Sequence, residues 1–191
     1  DLMISSRHMD EITKIDRDTG AMVWRLGGEN NEFAFVNDSL QFSHQHAIRR
    51  LANGNVLLYD NGNFHSPPFS RAVEYTLDEP NRTATVIWQY RDTPDIFGIA
   101  MGYAQRLDNG NTLIGWGTGK PDITEVTPAG EKVLQLALPQ FVVSYRAFRF
   151  IRPQDVSVPP GGESPRLSLS DAQPNPARAR TQFRLALAAP S

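Results

Sequence analysis

The sequence predicts an all-β chain built from β-propeller blades, each a four-stranded antiparallel meander. Two observations predict it: an internal repeat, and the lack of any sustained helical period. The repeat sets His46-Ala-Ile-Arg-Arg-Leu51-Ala-Asn53-Gly54-Asn55-Val-Leu-Leu-Tyr59 beside Gly102-Tyr-Ala-Gln-Arg106-Leu107-Asp-Asn109-Gly110-Asn111-Thr-Leu-Ile-Gly115. Each copy is two β-prone runs joined by Asn-Gly, a dipeptide suited to the two positive-φ positions of a type I′ hairpin turn. Apolar and polar residues alternate in Ile12-Thr-Lys-Ile15 and in Val73-Glu-Tyr75, and no window holds a 3.6-residue period.

A second kind of strand pair recurs: Glu11 to Asp16 with Ala21 to Trp24, Ala72 to Asp78 with Ala84 to Trp88, and Asp122 to Val126 with Glu131 to Leu134. Turn-forming residues lie between the members of each pair, at Asp18-Thr19-Gly20, at 78–81 and at Pro128-Ala129-Gly130. Two hairpins in series make a meander of about 40–50 residues, the size of a blade. Residues 1–28 therefore read as the tail of one blade, 44–91 and 101–138 as complete blades, and Val142 to Phe150 as the first strand of a fourth. Propellers carry about four to eight blades, so this region, 1–153, calls for further blades encoded upstream or for a second chain that completes the ring. A β-sandwich with two similar hairpins is the competing arrangement. Residues 154–166, rich in Pro and Gly, read as a linker, and 167–191 as the start of a C-terminal module with two short strands.

Composition narrows the function. Of the 191 residues 40% are hydrophobic and 21% charged, enough apolar material for a core. Nineteen Lys and Arg against 21 Asp and Glu give a net charge of −2, so no basic field is present to hold nucleic acid or an anionic membrane. The absence of cysteine removes disulfides, thiolate metal sites and a thiol nucleophile. No apolar run approaches the roughly 20 residues that span a bilayer. The chain opens at Asp1-Leu-Met-Ile-Ser5 in mid-pattern, as part of a longer polypeptide would.

The four histidines are at 8, 44, 46 and 65. With Asn53-Gly54 as a two-residue turn, His46 pairs with Asn61 at the open end of its hairpin, beside the Asp60-Asn61-Gly62-Asn63 loop and at one mouth of a central channel. The same register places Gly102 where His46 stood, opposite Gly117, and a histidine replaced by glycine at a repeat position points to function. A histidine that merely caps strand backbone is the structural alternative. His44 and His46 alternate, so both cannot face the channel without a bulge. Arg71 is a candidate anion clamp and Arg7-His8 a second cationic pair. Zinc ligation by His44, His46 and His65 has the right residue types but only a weak spacing signal, and no metal is expected. Asn37-Asp-Ser39 and Asn81-Arg-Thr83 match the glycosylation sequon.

Several segments together resemble the C-terminal part of the arylsulfotransferase family: Ile4-Ser-Ser-Arg-His8, Lys14 to Gly27, Gln45-His46-Ala47, Tyr59-Asp-Asn-Gly62, Ser70 to Asp78, Val86 to Tyr90 and Tyr145-Arg-Ala147. The resemblance covers about 1–153. It implies a six-bladed propeller, exported from the cell, that moves a sulfuryl group from an aryl sulfate to a phenol through a channel histidine without a cofactor. It marks His46 as the catalytic candidate and Arg7, His8, Asn61, His65, Arg71 and Arg146 as substrate-binding candidates. Where the family places a sulfate-binding arginine the chain reads Asn63-Phe64-His65. Where the family has its acceptor histidine the chain reads Gly117-Thr-Gly-Lys120, and Ser144 stands where another histidine is expected. A non-catalytic secreted propeller acting as a binding or assembly module is the alternative reading. The tail Ala172 to Leu185 is similar to the opening of C-terminal Ig-like or sorting domains of secreted bacterial proteins, which implies a secreted, periplasmic or cell-surface address.

Overall fold

The computed structural model describes residues 1–150 and, as backbone, the two short strands Leu167–Leu169 and Leu185–Leu187. The linker 154–166 lies outside the described residues. Contacts divide the chain into two units, Asp1–Arg149 and Phe150–Ser191.

The first unit is all-β. Its strands are β1 (Leu2–Ser6), β2 (Glu11–Ile15), β3 (Met22–Leu26), β4 (Ala34–Val36), β5 (His46–Arg50), β6 (Val56–Asp60), β7 (Arg71–Asp78), β8 (Thr83–Tyr90), β9 (Tyr103–Arg106), β10 (Thr112–Gly115), β11 (Ile123–Val126) and β12 (Lys132–Leu136). A single 3₁₀ turn, Arg7–Met9, follows β1. They form three sheets, β1-β2-β3, β4-β8-β7-β6-β5 and β12-β11-β10-β9. The last two contain the four-stranded antiparallel meanders that define blades. In the second unit β13 (Leu167–Leu169) pairs antiparallel with β14 (Leu185–Leu187). Among the described residues no helix is long and apolar enough to cross a membrane.

Equivalent strands follow from the ladders. Ser6 pairs with Glu11 and Asp60 with Arg71, so β1-β2 correspond to β6-β7, and β5 and β9 are the inner strands of their sheets. The second strand of each sheet packs beside the inner strand of the next: β1 against β5, and β6 against β9. The middle sheet is therefore covered on both faces. Leu58, Val73, Tyr75 and Ala84 meet Ile12, Trp24, Leu26, Phe33 and Phe42 on one side. Leu57, Tyr59 and Ala72 meet Ala104, Ile114, Trp116 and Val126 on the other. Two-sided burial explains why Val56-Leu57-Leu58-Tyr59 is an unbroken apolar run rather than an alternating one. All four are fully buried, and each large apolar side chain so placed contributes about 1.5–3 kcal/mol.

Three details differ from the sequence expectation. The hairpin turns are not type I′. Leu51 N–H donates to the Asn55 carbonyl at 2.8 Å and Gly54 N–H to the Leu51 carbonyl at 3.0 Å, and of Asn53 and Gly54 only the glycine has positive φ, at 86°. This is a type I turn closed by a glycine bulge, repeated at Leu107, Gly110 and Asn111. It places Arg50 opposite Val56, and a further bulge then leaves His46 opposite Tyr59 instead of Asn61. Second, β4 adds a parallel edge strand to β8, Ala34 opposite Thr83, that no local pattern announces. Third, Val142 to Phe150 is not a strand. Gly102 N–H donates to the Tyr145 carbonyl and the Gln105 side chain exchanges two hydrogen bonds with the Arg149 backbone, contacts that do not make the backbone ladder of a strand.

Candidate functional site

The site lies at the start of β5. Two left-handed residues flank His46: His44 at φ 56° and Ala47 at φ 56°. Ala47 sits in the bulge, and a bulge of this kind re-aims the side chains around it. The His44 conformation is held by Asp10, whose Oδ1 accepts the His44 N–H at 2.5 Å and lies 3.1 Å from its Nδ1. Gln45, fully buried, donates to Ser5 Oγ and to the Glu11 carbonyl, which fixes the approach of the chain to β5.

The half-buried His46 imidazole has a defined tautomer. Its Nδ1 lies 2.6 Å from Asn61 Oδ1. Asn61 is completely buried, and its Nδ2 donates to the carbonyls of Gly98 at 2.6 Å and Met101 at 3.0 Å. Those two carbonyls can only accept, so the amide oxygen must face the imidazole and Nδ1 must carry the proton. Nε2 is left with its lone pair. Burial, which disfavours the imidazolium, holds the His46 pKa below the ordinary histidine value, and the positive charges of Arg7 and Arg146 act in the same direction against the opposing effect of the Asn61 hydrogen bond.

The other predicted residues divide into two groups. Arg7 donates through Nη2 to the Ile99 carbonyl at 2.7 Å and through Nη1 to His8 Nε2 at 2.7 Å. His8 is exposed, and its ring meets that of His44 edge-on at 5.7 Å. Arg146 is exposed over its own neighbour Tyr145, at 5.0 Å from the ring, with its charge felt at His46. Asn61 thus touches His46, the charges of Arg7 and Arg146 act on it, and His8 joins this group through Arg7.

Arg71 and His65 belong elsewhere. Arg71 is buried and its fork is occupied: Nε to Asp60 at 2.9 Å, Nη1 to Gln89 at 2.8 Å, and Nη2 to both oxygens of Asp38 and to the Gln41 carbonyl. Burial works against its charge and is the largest single effect, but Asp60, Tyr75 and Asp38 together outweigh it and keep the guanidinium pKa above the ordinary arginine value. His65 is buried against Phe69 at 4.5 Å, with Nε2 3.2 Å from the Gln41 carbonyl and 3.5 Å from Asp60. These two side chains brace the interior of the middle sheet. His44, His46 and His65 do not converge as a zinc set, and among the described residues no group of three such ligands does.

Gly102 has a steric explanation. Its φ is 104°, and a Cβ there would stand 2.2 Å from the Tyr59 ring. A histidine is not admitted at that position, so the contrast with His46 reflects packing between sheets. Sequence reasoning weighed His44 but missed three neighbours of these residues: its Asp10 anchor, Phe64, and the Ile99 carbonyl, to which Asn63 Nδ2 also donates at 3.1 Å. Positive φ at a histidine leaves no local trace in sequence.

Blades of antiparallel strands, with an imidazole oriented at the start of the strand β5, define a propeller-type protein. The Arylsulfotransferase (ASST) family model matches residues 1–146. The chain belongs to the arylsulfotransferase family. No curated protein matches it.

Proposed function

We propose that the chain carries out sulfuryl transfer from an aryl sulfate to a phenol, with His46 Nε2 as the group that accepts the sulfuryl moiety. One observation carries this reading: Asn61 holds the Nδ1 proton at 2.6 Å and so leaves Nε2 unprotonated, within the field of Arg7 and Arg146. In the first half-reaction Nε2 attacks sulfur, the S–O bond to the aryl group breaks, and the electron pair leaves with the phenolate. In the second, the oxygen of an acceptor phenol attacks sulfur, the N–S bond breaks, the lone pair returns to Nε2, and the phenol proton passes to solvent. Arg7 and Arg146 would balance the charge that accumulates on the sulfuryl oxygens.

The test is turnover of a chromogenic aryl sulfate with a phenol acceptor. Release of the donor phenol by wild type, its loss in His46→Ala, and sulfate on the imidazole in quenched enzyme are the expected results. A folded wild-type protein that releases no phenol sinks the reading.

One observation favours a second reading. No histidine follows residue 65, and Gly117-Thr-Gly-Lys120 occupies the stretch where an acceptor histidine is expected. On that reading the protein binds aryl sulfates at the same mouth without transferring them. In both readings we place the protein outside the cytoplasm, on the similarity of its tail to secreted-protein modules. Further blades or a second copy then complete the ring, which the exposed Val133, Leu134 and Leu136 of β12 favour.

A further inference from the structure

We infer that the edge-on row of rings His8, His44 and Phe64 is the platform that selects an aromatic over an alkyl sulfate, with Phe64 as its specificity-determining residue; this rests on the reading of the mouth as a sulfate-ester site. Phe64 is 72% exposed, although burying such a side chain would contribute about 1.5–3 kcal/mol. It is nonetheless held in place. Its N–H donates to Ser43 Oγ at 3.0 Å, and its ring meets the His44 imidazole at 4.7 Å with the planes at 89°. His44 in turn meets His8 at 5.7 Å and 83°, and the Asp10 carboxylate lies 3.1 Å from the His44 Nδ1. The row ends one hydrogen bond from Arg7, since His8 Nε2 accepts from Nη1 of that arginine.

The row therefore joins an open aromatic face to a cation that acts on His46. An amphiphilic anion matches both parts. Bound along the row, such an anion would present its sulfate group to Arg7 and pack its ring against the aromatic face that Phe64 leaves open, in the offset or edge-on geometry that aromatic pairs prefer, worth about 0.5–1.5 kcal/mol beyond area burial. An alkyl sulfate or inorganic sulfate satisfies the cations alone. Asn63 Nδ2 and Arg7 Nη2 both donate to the Ile99 carbonyl, which keeps the loops that carry the row together.

The test is equilibrium binding to the full chain, by calorimetry and ligand-observed NMR, of 4-nitrophenyl sulfate, methyl sulfate and inorganic sulfate. Wild type is expected to prefer the aryl ester about tenfold over methyl sulfate. Phe64→Ala should remove that preference while changing methyl sulfate affinity less than twofold, and Phe64→Tyr should keep it. Retention of the preference in Phe64→Ala, an equal loss for both esters, or no aryl preference in wild type overturns the inference. Binding needs no chemistry, so an aryl preference without turnover overturns only the transferase reading, and turnover with an unchanged preference in Phe64→Ala overturns only this one.

Discussion

His46 and Asn61 are joined by a 2.6 Å hydrogen bond that spans the mouth end of one hairpin and fixes which imidazole nitrogen is free. The same asparagine grips two carbonyls of the loop before β9, so the tautomer of a residue on one sheet depends on the seating of the next. Partners that fix the tautomer of metal-ligating histidines account for about 10–100-fold in activity, and Asn61 holds His46 by the same kind of hydrogen bond. Asn61→Ala should therefore lower kcat by about that factor with a smaller change in KM, measured with the aryl sulfate assay. A variant at wild-type kcat would show that Asn61 serves packing alone.

The acid limb of activity should lie below pH 6.5, the ordinary histidine value. Burial and two nearby guanidinium groups disfavour the imidazolium, so His46 stays neutral and nucleophilic further into acid than a free histidine. The same shift means that folding stability from this group is present above the unfolded pKa and is lost as pH falls through the lower folded one. Titration of the His46 ring signals by NMR checks the position, and a midpoint above 6.5 contradicts it.

Arg71→Ala should cost stability rather than substrate affinity. The substitution leaves Asp60 and Asp38 buried without the guanidinium they share, a loss of about 3–5 kcal/mol. Urea denaturation should show the drop in midpoint. Aryl sulfate binding by whatever fraction remains folded should be unchanged, and selective loss of binding in a stable Arg71→Ala protein would restore this residue to the site.

Glu79 bridges the first two sheets, 2.7 Å from Lys14 Nζ and 2.5 Å from Arg50 Nη2. Burial raises its pKa, but the hydrogen bonds from Lys14 and Arg50 and the Lys14 charge lead the effects that outweigh it and hold it at about 2. The stability it contributes, about 1 kcal/mol for partly exposed pairs screened by solvent, is complete above the usual glutamate range and fades as pH falls toward 2. Glu79→Gln should flatten the acid side of the stability profile between pH 5 and about 2, seen in denaturant midpoints.

Gly102→Ala should be among the more damaging single changes, because the added methyl meets the buried Tyr59 ring and the backbone there is left-handed. A fall in stability of about 2 kcal/mol or more is expected from strain and overpacking together. A thermal midpoint within a degree of wild type would contradict the contact.

Much of the fold was legible because its signals are local. Asn-Gly between two β-prone runs marks a hairpin whichever turn type closes it, and the echo of residues 46–59 in 102–115 marks repeated sheets. The register was not legible to the residue. A type I turn with a glycine bulge and a type I′ turn share the same dipeptide and differ by one position, and the Ala47 bulge has no sequence mark. Even so His46 and Asn61 meet, through side chains that reach along the strands where the backbone pairing does not.

Among the site candidates the sequence could supply residue types and order, but not allegiance. Arg7 and Arg71 are both arginines at the junction of a second and a third strand, and nothing local separates the one that faces the mouth from the one locked between Asp38 and Asp60. What the sequence determined was the β class, the repeat and the family, since these depend on periodicity and on motifs read along the chain. Tertiary structure decided which cations face solvent, which imidazole nitrogen is free and why glycine stands at 102, because each depends on groups from a neighbouring sheet that come into contact only when the sheets pack.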